Sequence, residues 1–518
     1  MTQETRYITT PIYYVNDKPH IGHVYTTTLC DVYARAMRNF GHDVFFLTGT
    51  DEHGVKVEES AQKRGITPQA LADENAAVFQ SIMEMFSLTN DAFIRTTDPK
   101  HESQVQTLVS GLLASGDVYL GDFEGWYDSG QEEYHTENSA RELDYKSPIS
   151  GKPLVRATEK NYYFRLSAYQ KKLEKLFADH PDFVRPSSRR NEVLGRLREG
   201  LQDVPISRTN FSWGIPMPDD PEHVIYVWID ALFNYITALD LGEEDKTLGK
   251  YWPANYHVVG KEILWFHAVI WPAILMALDL PLPKCIYAHS FWISEGRKMS
   301  KSLGNFIDLK EIDKYIDVYS MDAWRFYLVT QGPLGATDAD FAAAKFHDVY
   351  NAHLVNTVGN CASRVTAMIE KYFDGAVPAD NGEIFAETDW KSICSKAAAC
   401  SQSAMETFSL QEAVECAMSI VRQVDLFINT TAPFKLAKDE TKQEELGAIL
   451  YQCIEALRIS SILLHPVIPV KMDELHNALN VEMPKQNTST ALEWGGMEPG
   501  TTIQKVALFP RVEFATSE

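Results

Sequence analysis

The chain has 518 residues, 45% of them apolar and 23% charged, and a formal net charge of −23. That length suits about three domains with a sizeable buried core, and no stretch reads as an uninterrupted membrane-spanning run. So acidic a balance excludes a general polyanion binder, whose affinity comes from basic surface, and leaves a soluble, cytoplasmic protein as the expectation.

The segment before Tyr7 is as acidic as it is basic and runs straight into a strand, unlike a secretory signal or an Arg-rich transit peptide. Residues 7–14 are β-branched and aromatic and predict an extended strand. A turn at Asn16-Asp17-Lys18-Pro19 leads into a helix over 22–40, closed by Gly41 just past its end. Residues 44–47 form a short continuous apolar run, as expected of a strand covered on both faces of a parallel sheet. This strand–helix–strand start predicts a right-handed, doubly wound α/β sheet. From 119 to 207 the pattern breaks into polar, aromatic and Gly/Pro-punctuated pieces, which read as an insertion. Strand–helix alternation returns at 224–228 and 256–259, and beyond 346 helical stretches run to about 464. The seven cysteines lie between Cys30 and Cys453 without a CxxC pair, which is the usage of a reduced compartment. Arg185, Arg189, Arg190, Arg196 and Arg198 form one cationic cluster. It reads either as a patch for one structured RNA or as a solvated helix balanced by Glu192 and Glu199.

Two motifs carry chemistry. His20-Ile21-Gly22-His23 sits where the first strand gives way to a helix, whose free N–H groups and dipole attract anions. Two imidazoles one turn apart add donors, and Gly22 leaves room for a nucleotide against the backbone. By itself the tetrapeptide is equally a pair of surface histidines. Lys298-Met299-Ser300-Lys301-Ser302, between Gly296 and Gly304, suits a mobile clamp on polyphosphate, or a plain solvated turn. Both motifs on one chain, in this order and each in a strand–helix setting, favour nucleotide chemistry.

The pair resembles the signature of the class I aminoacyl-tRNA synthetases. The blocks between narrow the resemblance to the methionyl-tRNA synthetases: Thr10-Pro-Ile-Tyr-Tyr-Val-Asn16, Thr48-Gly-Thr-Asp-Glu-His-Gly54, Tyr226-Val-Trp-Ile-Asp-Ala231, Gly260-Lys-Glu-Ile263, Phe266-His-Ala-Val-Ile-Trp-Pro272 and the terminal Leu508-Phe-Pro-Arg511. It spans essentially the whole chain. It implies a Rossmann-type catalytic domain in two halves, 1–118 and 208–290, around an inserted connective-peptide domain at 119–207. The lysine-motif loop and stem-contact region would occupy 291–345, and a helical-bundle anticodon-binding domain 346–518. The implied partners are ATP with Mg²⁺, L-methionine and tRNA(Met), and no membrane. The implied reaction forms methionyl adenylate and passes the methionyl group to the 2′-hydroxyl of the terminal ribose.

The resemblance also implies roles. His20, Gly22 and His23 serve the phosphates on the entering side, and Lys298 and Lys301 hold the leaving β,γ-phosphates. Gly260 and Glu262 contact the ribose side, and His289 and Ile293 flank the adenine. Asp51 holds the substrate's ammonium group, although its residue type alone also suits a turn or N-cap. Trp228, Ala231 and Tyr235 fall at i, i+3 and i+7, and Phe266, His267 and Trp271 make a second aromatic set. Such stripes are also plain core. The resemblance assigns them, with Ile12 and Tyr14, to the methionine site, where rings suit a polarisable thioether. The Tyr14 hydroxyl and His267 are the expected sensors of its sulfur. For the anticodon, Asn360 and Arg364 match a helical i, i+4 pair, and Phe434, after Pro433, matches a stacking position where relatives usually carry tryptophan. The alternative for Phe434 is an ordinary bundle-core residue.

The sequence departs from the family pattern in three places. Asp128, Gln131, Ser147 and Ser150 stand where many members carry zinc-knuckle cysteines, a donor set too poor for structural zinc, so no metal is expected there. The insertion is too short for the editing domain of the isoleucine, valine and leucine enzymes. The sequence ends soon after Arg511 without a dimerising appendage, which predicts a monomer. Two rivals stand beside this reading. A cysteine-activating class I enzyme is opposed by the missing zinc ligands and the aromatic pocket. A non-catalytic RNA-binding relative is opposed by two intact phosphate motifs.

Overall fold

The computed structural model describes residues 4–513, apart from 16–17, 129–132, 136, 241–246, 295, 300–304, 381–387, 485 and 487. Its central sheet is parallel throughout, in the order Ala92–Arg95, Asp43–Asp51, Thr5–Thr9, Tyr256–Gly260, Ile286–His289 and Val184–Arg185. The seventh strand, Tyr13–Tyr14, lies beside the end of Asp43–Asp51. The strand predicted over 7–14 is therefore interrupted. Pro11 cannot donate to a ladder, and the register slips by one residue between the pairs Thr9↔Leu47 and Tyr13↔Thr50.

The first helix runs from Ile21 to Asn39, and Gly41 beyond it has φ 91°, the left-handed conformation a C′ glycine adopts. One face buries Val24, Leu29 and Val32, and buried Asp31 carries a larger burden. Its carboxylate accepts from Arg325 at 2.7 Å and from Arg35 at 2.8 Å. Arg325 also donates to the carbonyls of Pro466 and Val467, both at 3.0 Å, so this knot joins the nucleotide-side helix to the C-terminal helices.

Residues 119–207 are not one insertion. Val118–Asp128, Glu133–His135, Val155–Phe164 and Val204–Pro205 form a four-stranded antiparallel sheet, but Val184–Arg185 returns to the edge of the central sheet. Its two-residue length gave no periodicity to read. A small antiparallel sheet of Ser207–Arg208, Pro216–Met217 and Asp220–Ile225 then delivers the chain to the helix Val227–Thr237.

In the C-terminal half, Trp390–Glu406, Leu410–Thr431 and Gln443–Leu464 pack together. Within Glu440–Leu464 a window of 18 residues has a mean hydropathy of 1.4, long and apolar enough to cross a membrane, against the expectation of no such run. Every residue of it from Leu446 to Leu464 is buried, so it is the bundle's central helix. Two further expectations change. The Tyr350–Gly359 stretch has π geometry. Cys400 and Cys416 are joined by a disulfide rather than reduced. They lie 16 residues apart on two antiparallel helices, a pairing made by packing and carrying no local signature. The other five cysteines are free and buried.

Candidate active site

Thr9, Asp51, Gly260 and His289 end four adjacent parallel strands, and ligands of open α/β sheets bind at such C-terminal edges. A cavity of about 180 Å³ opens there. Ile12, Tyr14, Asp51, Trp228, Ala231, Tyr235 and His267 line it, joined by Pro11, Lys56, Val227, Leu232 and Ile263, which the sequence analysis did not single out. The break at Pro11 explains the first pair. It turns Ile12 and Tyr14 inward while Tyr13 points away and donates its hydroxyl to the His23 carbonyl at 3.2 Å. Asp51, 7% exposed, is the last residue of its strand, and Gly54 caps the next helix, so Asp51 is neither its cap nor a turn residue.

The floor is set by a hydrogen-bond chain. His267 Nδ1–H donates to the Ile263 carbonyl at 2.9 Å, so the neutral ring presents Nε2 as acceptor to the Tyr235 hydroxyl at 2.7 Å. Burial pushes the His267 pKa down to about 4, which keeps that single proton in place. His267 therefore has no N–H left to offer a sulfur, contrary to expectation. It sits on a π-helical turn, Phe266–Ile270, a distortion common at functional sites.

Two residues assigned to the methionine pocket do not line it. Phe266 stacks on the outer face of Trp228, rings 4.3 Å apart and 13° from parallel. Trp271 is fully buried beneath, its indole N–H donating to His257 Nε2 at 3.3 Å. Both rings therefore stand behind the cavity wall rather than in it.

At the phosphate end, His20 caps the first helix. The Gly22 N–H donates to His20 Nδ1 at 3.0 Å, and the His20 N–H donates to His23 Nδ1 at 3.1 Å. Both neutral rings then carry their proton on Nε2, as donors rather than acceptors. Burial and the neighbouring His20 push the His23 pKa well below its usual value. A Cβ at Gly22 would meet the His20 ring at 2.9 Å, so the space spared by this glycine admits His20 itself. The strand Trp292–Ser294 pairs with Arg297–Lys298, with Ile293 opposite Lys298. Lys301 and the Lys298 side chain lie outside the described residues. The chain re-enters at the first motif: the Ile21 N–H donates to the Ile307 carbonyl at 3.1 Å, and His20 bridges Asp308.

Glu262 lies over Gly260, where a Cβ would collide with its carboxylate. His289 donates from Nδ1 to the Ser290 carbonyl and accepts the Thr26 hydroxyl at Nε2, each at 2.8 Å. Burial lowers its pKa to about 4, so it offers a neutral ring.

Elsewhere, Asn360 is exposed and Arg364 is held by Asp425 at 2.5 Å and Asn429 at 3.0 Å. Phe434 is 46% exposed at the start of Pro433–Leu436, which removes the bundle-core alternative. The arginine cluster fits the solvated-helix reading in part: Arg189 pairs with exposed Glu192 at 2.9 Å, and Arg196 and Arg198 are exposed. Arg189 donates to Ser290 and to the Ala336 carbonyl, Arg190 to the Phe177 carbonyl, Arg185 to the Thr407 carbonyl, and Arg196 covers the Trp265 ring. Arg185, Arg189 and Arg190 thus also staple neighbouring segments together. In the knuckle stretch, Ser147 Oγ accepts the Ser150 N–H at 3.1 Å and Asp128 is buried, while Gln131 lies outside the described residues. Among the described residues, no group of three or more His, Cys, Asp or Glu is disposed to hold a metal ion.

A sequence profile for class I tRNA synthetases (M) matches residues 6–143 and 138–366. The methionine–tRNA ligase of Caldanaerobacter subterraneus subsp. tengcongensis is 43% identical over 513 residues, 99% of this chain and 79% of that protein. Its counterpart from Bacillus subtilis is 40% identical over 529 residues, with the same two coverages, 99% and 79%. The structure of Mycobacterium tuberculosis methionyl-tRNA synthetase in complex with methionyl-adenylate matches with a TM-score of 0.92 at 35% identity, over 98% of this chain and 100% of that one.

Proposed function

The chain belongs to the class I methionyl-tRNA synthetases, and from that membership we propose how its residues charge tRNA(Met) with methionine. The observation that carries the assignment of roles is the cavity at the strand ends, with one buried carboxylate, Asp51, facing a ring-lined floor. Asp51 takes the ammonium group, and Trp228, Ala231, Tyr235 and His267 enclose the thioether. Ile12 and Tyr14 close the near side. Phe266 and Trp271 act behind the wall, by stacking and by filling the core.

ATP enters as its Mg²⁺ complex, adenine between His289 and Ile293 and ribose beside Gly260 and Glu262. The methionine carboxylate attacks the α-phosphorus, a new acyl–phosphate bond forms, and the bond to the bridging oxygen of pyrophosphate breaks. No protein nucleophile takes part, so the chain contributes positioning and charge stabilisation. His20 and His23 direct Nε2–H donors at the phosphates without adding charge. Lys298 and Lys301 neutralise the departing pyrophosphate. The terminal ribose 2′-hydroxyl then attacks the acyl carbon and releases AMP. Asn360, Arg364 and Phe434 read the anticodon. The charged tRNA serves protein synthesis, and on that ground alone we propose a cytoplasmic reaction.

We assign no zinc to the inserted sheet. Asp128, Ser147 and Ser150 offer no thiolate or imidazole, and Ser147 and Ser150 bond to each other. Elemental analysis is expected to find no stoichiometric zinc, and about one zinc per chain would overturn the assignment. The reaction is tested by amino-acid-dependent ATP–pyrophosphate exchange with all twenty amino acids. Methionine alone should support fast exchange, and a better substrate among the other nineteen would reject the pocket as read.

A further inference from the structure

Asp230 sits on Val227–Thr237, the helix that supplies Trp228, Ala231 and Tyr235 to the cavity, but on its opposite side. It is 1% exposed and accepts from two imidazoles: His53 Nδ1–H at 2.6 Å and His101 Nε2–H at 2.7 Å. His53 follows Asp51 by two residues, on the loop between its strand and the helix Val55–Arg64. His101 lies in the first turn of Pro99–Ser115 and reaches Thr237 Oγ1 at 2.8 Å. The remaining neighbours of His53 are Glu102, 3.6 Å from Nε2, the charge of Asp51, and the Trp213 ring at 5.4 Å. None of the three residues lines the cavity.

A buried carboxylate shared by two imidazoles is costly to break, because removing one partner leaves charge uncompensated in a low-dielectric site. Here it binds the two halves of the amino-acid pocket. One half is the Asp51 loop, and the other is the helix bearing the aromatic wall.

We propose that the His53–Asp230–His101 cluster is a positioning device that fixes the separation between the Asp51 carboxylate and the ring-lined wall, and so sets the affinity for the amino acid. It acts on methionine through Asp51 and the wall, and leaves the ATP side alone. His53 works as a cation. Burial opposes its charge, but Asp230, with Glu102 and Asp51, raises its pKa to about 10, so it stays protonated across the neutral range.

This inference rests on the methionine reading of the cavity, and steady-state ATP–pyrophosphate exchange with the full chain separates the two. His53→Ala should raise the KM for methionine on the order of 10- to 100-fold, the scale of ångström-size misplacement, with the KM for ATP changed less than about twofold. His53→Asn, which keeps a donor at the Nδ1 position but not the charge, should recover part of the loss. Asp230→Asn should make the methionine KM rise with pH between about pH 6 and 8, as His53 loses the partner that keeps it charged. The wild-type value should be flat there. Equal shifts in both KM values, no shift in a folded His53→Ala enzyme, or no rescue by His53→Asn would overturn the proposal. If His53→Ala does not fold, Asp230→Asn decides it by the pH dependence of the methionine KM. Exchange driven by a different amino acid would reject the methionine reading, and the KM split would then be read with that amino acid.

Discussion

Phe434 follows the left-handed Ala432 and Pro433 and projects from the end of Leu410–Thr431, the helix whose Asp425 and Asn429 orient Arg364. An unpaired base stacks on an exposed ring for about 1–3 kcal/mol. Phe434→Ala should therefore lower aminoacylation efficiency about 5- to 100-fold while tRNA-independent pyrophosphate exchange and the melting temperature stay put. Phe434→Trp should match or exceed wild type, since the indole offers more area. Loss of both activities in a folded Phe434→Ala protein would reject the stacking role. Lys301 is the counterpart on the catalytic side. Lys301→Ala should slow adenylate formation about 10²- to 10³-fold, the scale for losing one preorganised electrostatic donor. Methionine binding without ATP should be unchanged, which equilibrium titration can check. The motif residues were readable because their chemistry requires particular side chains in particular order. Lys56 on the cavity wall and Asp425 and Asn429 beside Arg364 were not, because Lys, Asp and Asn are common surface residues and only the fold puts them there.

At the scale of elements, the strand Asp43–Asp51 shows what packing demands of one position. Gly49 pairs with Ile94, and a Cβ there would run into the Ile94 carbonyl and side chain. Backbone cannot give way as a flexible side chain does. Gly49→Ala should destabilise the fold by about 1–3 kcal/mol, lowering the thermal midpoint and, because Asp51 ends the same strand, raising the methionine KM. An unchanged midpoint would mean that the neighbouring strand yields. The first helix was predicted nearly to its ends, whereas the apolar run at 44–47 caught only the first part of the strand Asp43–Asp51. Elements set by tertiary context were not predicted. The π turn at Phe266–Ile270 leaves no mark in a pattern of apolar residues, and nothing in that pattern tells buried Trp271 from a ring that lines the pocket.

Across the whole molecule, Arg325 ties the first helix to the carbonyls of Pro466 and Val467 through Asp31. Burial opposes the Asp31 charge, but Arg325 and Arg35 outweigh it and hold the carboxyl below the usual carboxylate range. A folded-state pKa below the unfolded one stabilises the protein above the carboxylate range, and that stability is lost as pH falls through it. Arg325→Met leaves Asp31 short of a partner and should cost about 3 kcal/mol at neutral pH, the low end for a broken buried pair because Arg35 remains. The deficit should shrink in acid, where a protonated Asp31 needs no cation. Denaturant unfolding of both proteins from neutral to acid pH measures this. A deficit independent of pH would assign the loss to packing instead.

Local order was legible wherever a residue's type limits what it can do. Gly41 ends a helix and Pro11 breaks a ladder, whatever surrounds them. The family motifs lie in such positions, so chemistry and fold class could be read together. Contacts between residues far apart in the chain were decided otherwise. The slip of register at Pro11, the return of Val184–Arg185 to the central sheet, the Tyr235–His267 bond and the His53–Asp230–His101 cluster each join segments tens to hundreds of residues apart. Their energy depends on desolvation and on the geometry of both partners, and neither quantity exists until the chain has folded around them.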